Sequence, residues 1–192
     1  IAAFPFTTHA PQPGMLDWHD VQVQLVDLPP ITRDFLEPWL PGLIRSANAA
    51  LLVLDLADDE APDQTEAVLA KLAGTRTELV GTLPYDVEDE QVQHVKTVLV
   101  ANKLDADGAD DRLEIVREWF GGRFPLVAAS THTRVGLETV AERAYDLLDV
   151  IRIFTKVPGK PVDRSRPFTV PVGSTVEDLA RAIHRDLADT LK

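Results

Sequence analysis

The chain of 192 residues contains no cysteine, which excludes disulfides and thiolate-held metals. No apolar run approaches the roughly 20 residues of a membrane-spanning helix, so no membrane contact is expected. Positive charge is scarce: 19 Lys/Arg stand against 31 Asp/Glu, and the net charge of −12 argues against binding of DNA or other nucleic acid by the surface as a whole. No G-x-x-x-x-G-K-[ST] phosphate cradle occurs anywhere. Ile1 is not a methionine and no basic n-region follows it, so the expectation is a processed chain or a piece of a longer protein, without a signal peptide. The cytoplasm is the expected location. No internal repeat or low-complexity tract is present, and the balance of 45% hydrophobic to 26% charged residues is that of a globular chain.

Charge is uneven along the sequence. Residues 151–192 hold eight Lys/Arg and five Asp/Glu, a sum of +3, which leaves −15 for residues 1–150. Such a break predicts a domain boundary near residue 150.

Hydrophobic patterning predicts an α/β chain. Residues 21–27 (VQVQLVD) alternate as a half-buried strand does, whereas 49–56, 97–101 and 124–129 are continuous apolar runs typical of strands buried on both faces. Helical spacing occupies 66–72, 111–120 and 136–150 between them, and strands alternating with helices imply a parallel sheet. Residues 74–96, with two glycines, Pro84 and an acidic run, are expected to be a long surface insertion. Beyond Val150 two strand patterns (151–157 and 166–172) precede a helix opened by Ser174 or Thr175. Two strands and a helix cannot enclose a core alone, so this second unit is expected to be incomplete.

The sharpest chemical signal is "LVANKLDADG" (99–108), which sets Asn-Lys-x-Asp directly after a buried strand. Ligands of open α/β sheets bind at the carboxyl ends of strands. There Asp105 could accept from both N1–H and the exocyclic amine of guanine, Asn102 could tie neighbouring loops together, and the Lys103 stem could lie on the base. The bland alternative is a polar turn with Asn and Asp as helix caps. One strand later, Ser130 and Thr131 in "VAASTHTRVGL" could bring a backbone N–H to the base carbonyl, or serve only as a turn. Upstream, Thr7 or Thr8 could give a hydroxyl to Mg2+, with Asp27 acting on the metal through water; Phe4 and Phe6 read equally well as anchors to the core. The histidines (His9, His19, His94, His132, His184) show no metal spacing and are expected at the surface, and Trp18, Trp39 and Trp119 are expected in packing roles. Arg152, Lys156, Lys160, Arg164 and Arg166 form a basic stretch that is either a solvated face or a contact for RNA.

These pieces together resemble the Obg/DRG group of translation-factor-related GTPases. "FPFTTHAPQPGM" (4–15) is similar to that group's switch I, with Thr8 at the metal-binding threonine; "DLPP" (27–30) stands at its Asp-x-x-Gly, "NKLD" (102–105) at its guanine motif, and "AST" (129–131) near its Ser-Ala loop. Residues 151–192 resemble the start of a TGS domain, a small β-grasp module. The resemblance implies a P-loop NTPase-like (Ras-like) α/β domain over 1–150 that lacks the first strand, phosphate loop and first helix, followed by a truncated TGS domain. It further implies Mg2+-dependent hydrolysis of GTP to GDP in a molecular switch. Site residues would be Asn102, Lys103, Asp105, Ser130, Thr131 and Asp27 for nucleotide and Thr8 and Asp27 for metal, with a ribosome or RNA contact through the basic 152–166 stretch.

Two departures bear on activity. The family's Asp-x-x-Gly glycine is Pro30, which has no N–H to offer a γ-phosphate. Ile31 follows where Ras-like enzymes place a water-orienting glutamine. Slow intrinsic hydrolysis is therefore expected, with a partner or a monovalent cation such as K+ as its aid. The alternative is a guanine-nucleotide-binding scaffold with little or no hydrolysis. Without a phosphate loop, these residues alone are expected to bind nucleotide weakly and to be inactive.

Overall fold

A computed structural model describes residues 10–86, 89–156, 159–164 and 167–183. Thr7, Thr8, Phe4, Phe6, His9, His184 and Arg166 lie outside these residues.

The alternating segment folds into a hairpin. β1 (Gln12–Trp18) pairs antiparallel with β2 (Val21–Asp27), joined by a turn in which His19 takes φ +54°. Val21 and Val23 point inward and their neighbours outward, the period-2 pattern of a one-faced sheet. Next come α1 (Leu40–Ser46), β3 (Ala50–Asp55), α2 (Ala61–Ala73), β4 (Thr77–Val80), β5 (Gln93–Asn102), α3 (Ala109–Phe120), β6 (Leu126–Ala128) and α4 (Leu137–Asp146).

β5 is the axis of the main sheet. Its first residues, Gln93–Lys96, pair with β4; its second half, Thr97–Asn102, pairs with β3, and Leu99–Ala101 pair with β6. All three ladders are parallel. Alternate β5 side chains enter two cores. Leu99 and Ala101 pack with Leu54, Leu69, Leu113, Val116 and Phe120 from the β3, α2 and α3 side, whereas Val98 and Val100 pack with Val127 and the α4 residues Leu137 and Val140. Helices on both faces are what make β5 a continuous apolar run. Beyond this sheet, β7 (Val150–Ile153) and β8 (Phe168–Pro171) form an antiparallel pair next to α5 (Val176–Ile183).

Several expectations are corrected. The stretch 74–96 is not a structureless insertion: it holds β4 and the start of β5. "TELV" is too short to announce itself by period, and its ladder is to Gln93–Lys96, beyond an intervening loop. β4 runs to Val80, and Gly81 then passes so close to the α3–β6 connection that a Cβ there would stand 2.4 Å from the Arg123 carbonyl. β3 is not buried on both faces, since Val53 is 47% exposed. Among the described residues its ladder is to β5 alone, and the β1–β2 hairpin forms a separate sheet. β1 and α1 carry no clear period in the sequence; α2 starts five residues before Glu66 because Pro62 suits a first turn; and α4 stops at Asp146, not at Val150.

Candidate functional site

β3 and β5 end together, with Asp55 registered opposite Asn102. Backbone bonds then fix the loop that leaves β5. The Leu56 N–H donates to the Asn102 carbonyl at 2.8 Å, the Leu104 N–H to the Ala129 carbonyl at 3.0 Å and the Ala106 N–H to the Lys103 carbonyl at 2.9 Å. Lys103 takes φ +66°, a sharp turn that a non-glycine residue adopts only where its surroundings enforce it. The loop after β6 is closed by the Ser130 N–H, which donates to the Val135 carbonyl at 2.9 Å. Gly136 then opens α4 with φ +75°; a Cβ there would lie 2.3 Å from the Ala128 carbonyl oxygen, so this position admits glycine alone.

The two loops meet through side chains. Asn102 is buried, and its Oδ1 accepts the Thr131 N–H at 3.2 Å. Ser130 is fully buried; its Oγ donates to Asp105 Oδ1 and accepts the Thr133 N–H at 3.0 Å. The other Asp105 oxygen, Oδ2, faces His132 Nδ1 at 3.0 Å. The Ser130 hydrogen bond, foremost, and the His132 contact hold the Asp105 carboxyl below the usual carboxylate range, against an opposing desolvation effect. Lys103 Nζ lies 2.6 Å from Asp55 Oδ2, and Asp55 Oδ1 accepts the Ala57 N–H at 2.9 Å. Arg112 of α3 stitches the flanking loops, donating to the Leu56 and Asp107 carbonyls and pairing with Asp59 at 2.9 Å.

Chemically, the cluster offers one ionised, partly exposed carboxylate at a strand-end rim, held in place by buried neighbours. It can accept from two adjacent N–H donors of a planar ligand. Of the residues read from sequence, Asn102, Lys103, Asp105, Ser130 and Thr131 are brought together. Two details differ from expectation: the Thr131 N–H is taken by Asn102 rather than open to a ligand, and the Lys103 ammonium is committed to Asp55. His132, expected to be a plain surface residue, is exposed yet seated on Asp105. Asp55 escaped the sequence reading although its signal was the one that singled out Asp27, an acid closing an apolar strand; His132 carried no local signal.

Asp27 lies elsewhere, at the end of β2 in the hairpin sheet. After it, Pro29 is buried, and Leu28 and Ile31 pack against the cluster of Ile44, Leu72 and Val95. Mg2+ is commonly held by one or two carboxylates together with phosphate oxygens and water. Asp27 fits as one member of such a set, and among the described residues no group of three or more His, Asp or Glu side chains could hold a metal ion. The described donors are therefore too few to hold Mg2+ without phosphate oxygens and water.

The basic stretch is partly spoken for. Arg152 pairs with Asp20 of the hairpin turn at 2.5 Å and stacks over Tyr145 at 5.9 Å. The hydrogen bond between them lowers the Asp20 pKa and raises that of Arg152. Arg164 covers Phe154 at 5.6 Å, while Lys156 and Lys160 are exposed. His94 pairs with Glu78 at 3.4 Å. Trp39 and Trp119 are 40% and 44% exposed, so packing accounts for them only in part. No described helix is long and apolar enough to cross a membrane.

A polar cluster at the carboxyl ends of the strands of a helix-flanked parallel sheet stands where open α/β sheets bind ligands. Residues 151–192 match the TGS domain family. Along its whole length the chain is similar to developmentally-regulated G-protein 1 of Arabidopsis thaliana (24% identity over 250 residues, 61% of that protein). It is likewise similar to GTP-binding protein 1 of Schizosaccharomyces pombe (24% over 243 residues, 66% of that protein). The chain thus spans 61% and 66% of the length of these relatives. Among solved structures it is similar to the G domain of the T. maritima FeoB iron transporter, with 21% identity, a TM-score of 0.48, and coverage of 76% of this chain and 80% of that one. The whole-length relatives and the TGS match make the chain similar to DRG-type GTP-binding proteins, with residues 151–192 similar to a TGS domain.

Proposed function

We propose that the chain carries the guanine-reading part of a GTP-binding switch protein. The observation that supports this best is the Asp105 carboxylate, ionised and oriented by Ser130 at the end of a parallel sheet. Guanine presents two adjacent donors to it, N1–H and the exocyclic amine, and adenine presents no such pair. Asn102 and Thr131 hold the two loops at the spacing the base needs, and the Lys103 stem, anchored through Asp55, forms one wall. The relatives are named GTP-binding proteins, which favours GTP and GDP as ligands.

GTP hydrolysis, with Mg2+ on Asp27 and Thr8 and help from K+ or a partner, is the activity this reading extends to, and a domain division near residue 150 is its layout. The site of action is the cytoplasm, and Lys156 and Lys160 are the residues open to an RNA or ribosome contact. A second reading, a scaffold that binds nucleotide without turning it over, is favoured by one observation: Ile31 is drawn into the Ile44–Leu72–Val95 cluster, so nothing at that position faces an attacking water.

Phosphate release in the presence of Mg2+ and K+, measured on the native protein, separates the two. Turnover above background supports the enzyme, and tight GTP binding without turnover supports the scaffold. Because no phosphate cradle is present in these residues, calorimetry on the 192-residue chain is expected to show weak or no GTP binding. Micromolar affinity would contradict that expectation.

A further inference from the structure

Asp105 has two carboxylate oxygens and two side-chain partners, but the partners differ in kind. Ser130 is fully buried, reaches Oδ1 and is itself fixed by the Thr133 N–H. It is part of the framework. The His132 side chain is 85% exposed and meets Oδ2 at 3.0 Å from the rim. Nothing buried holds the imidazole there, so it can leave by rotation about its own side-chain bonds.

We propose that His132 is a pH-responsive competitor for the Asp105 carboxylate, weakening guanine binding when its ring is protonated. The inference rests on the assignment of Asp105 as the base-reading residue. A guanine that uses both oxygens needs Oδ2, the one His132 occupies. Neutral imidazole has one N–H. In the tautomer with the proton on Nδ1 it donates to Oδ2; in the other it turns a lone pair toward the carboxylate and is repelled. The imidazolium has a proton on both nitrogens and adds charge attraction, so protonation closes the site and deprotonation frees it.

The other charged groups nearby do not supply this behaviour. On the loop after β5, the Lys103 ammonium is paired with Asp55, and Asp107 contributes a carboxylate, not an imidazole. On the loop after β6, Arg134 keeps its charge at all relevant pH. Asp105 itself is held below the usual carboxylate range and stays ionised. The imidazole is the side-chain type that changes charge around neutral pH, and His132 supplies the one in this cluster.

Guanosine, which tests base reading without phosphate, is titrated into the native protein and followed by NMR shifts of the 102–105 and 130–133 amides at pH 5.5 and 7.5. The expected result is affinity about two- to fivefold weaker at pH 5.5, the scale of an exposed ion pair. His132→Ala should abolish the difference and match the wild type's pH 7.5 affinity at both values; His132→Lys, charged throughout, should bind weakly at both. If His132→Ala keeps the wild-type ratio, or loses affinity equally at both pH values, His132 is not a competitor and the inference is overturned. If wild type and variants alike show no preference for guanosine over adenosine at either pH, the base-reading assignment fails and takes the inference with it.

Discussion

The side-chain oxygen of Asn102 accepts the backbone N–H of Thr131 at 3.2 Å, joining two loops that lie 29 residues apart in sequence. Asn102 is 3% exposed, so the bond is sheltered from water and its loss would leave the Thr131 amide and the loop it holds without that anchor. Asn102→Ala should lower stability by about 1–3 kcal/mol, the cost of breaking a hydrogen bond at a buried group. Chemical denaturation checks this, and guanosine affinity should fall with it. Unchanged stability would mean that the loops are held by their backbone bonds alone.

Asp105→Asn exchanges a double acceptor for one acceptor and one donor group. Xanthine carries a carbonyl where guanine carries the exocyclic amine, so the variant should shift preference from guanosine towards xanthosine. Competition between the two nucleosides measures the shift. An unchanged preference would remove Asp105 from base reading.

Acid should act on the same carboxylate. Its folded pKa lies below the ordinary 3.8, chiefly because Ser130 donates to the charged form. A group of this kind contributes stability that is fully present above its unfolded value and is lost as pH falls through the lower folded value. Ser130→Ala should therefore move the Asp105 titration upward towards 3.8, as read by carboxyl NMR. A titration that does not move would show that the hydrogen bond contributes little in solution.

Gly136→Ala should be among the more damaging single substitutions. It puts a Cβ 2.3 Å from a backbone oxygen at φ +75°. The left-handed backbone and the overpacking together predict a loss of about 2–4 kcal/mol. A thermal midpoint within a degree of wild type would contradict the tight turn between β6 and α4.

Pro30→Gly, tested in the native protein, should sharpen discrimination of GTP over GDP by restoring an N–H to the segment after Asp27. No change would mean that another donor serves, or that this segment does not sense the phosphate. Ile31→Ala, by contrast, should act on stability, at about 2–4 kcal/mol or less because Ile31 is only partly buried against its cluster.

The strand-and-helix succession from β3 to α4, β4 excepted, and Asn102, Lys103, Asp105, Ser130 and Thr131 of the strand-end cluster were legible from the amino-acid order alone. Both depend on local pattern: β5 is apolar without interruption because helices cover both its faces, and Asn102, Lys103 and Asp105 are near neighbours in the chain. Tertiary structure decided what depends on distant partners. β4 has a role only because Gln93–Lys96 pair with it, and β3 exposes Val53 because the hairpin lies in another sheet. Arg152 is withdrawn from the basic stretch by Asp20, 132 residues away. His132 meets Asp105 because two strand ends bring their loops to one rim, a juxtaposition of residues 27 apart that no periodicity encodes.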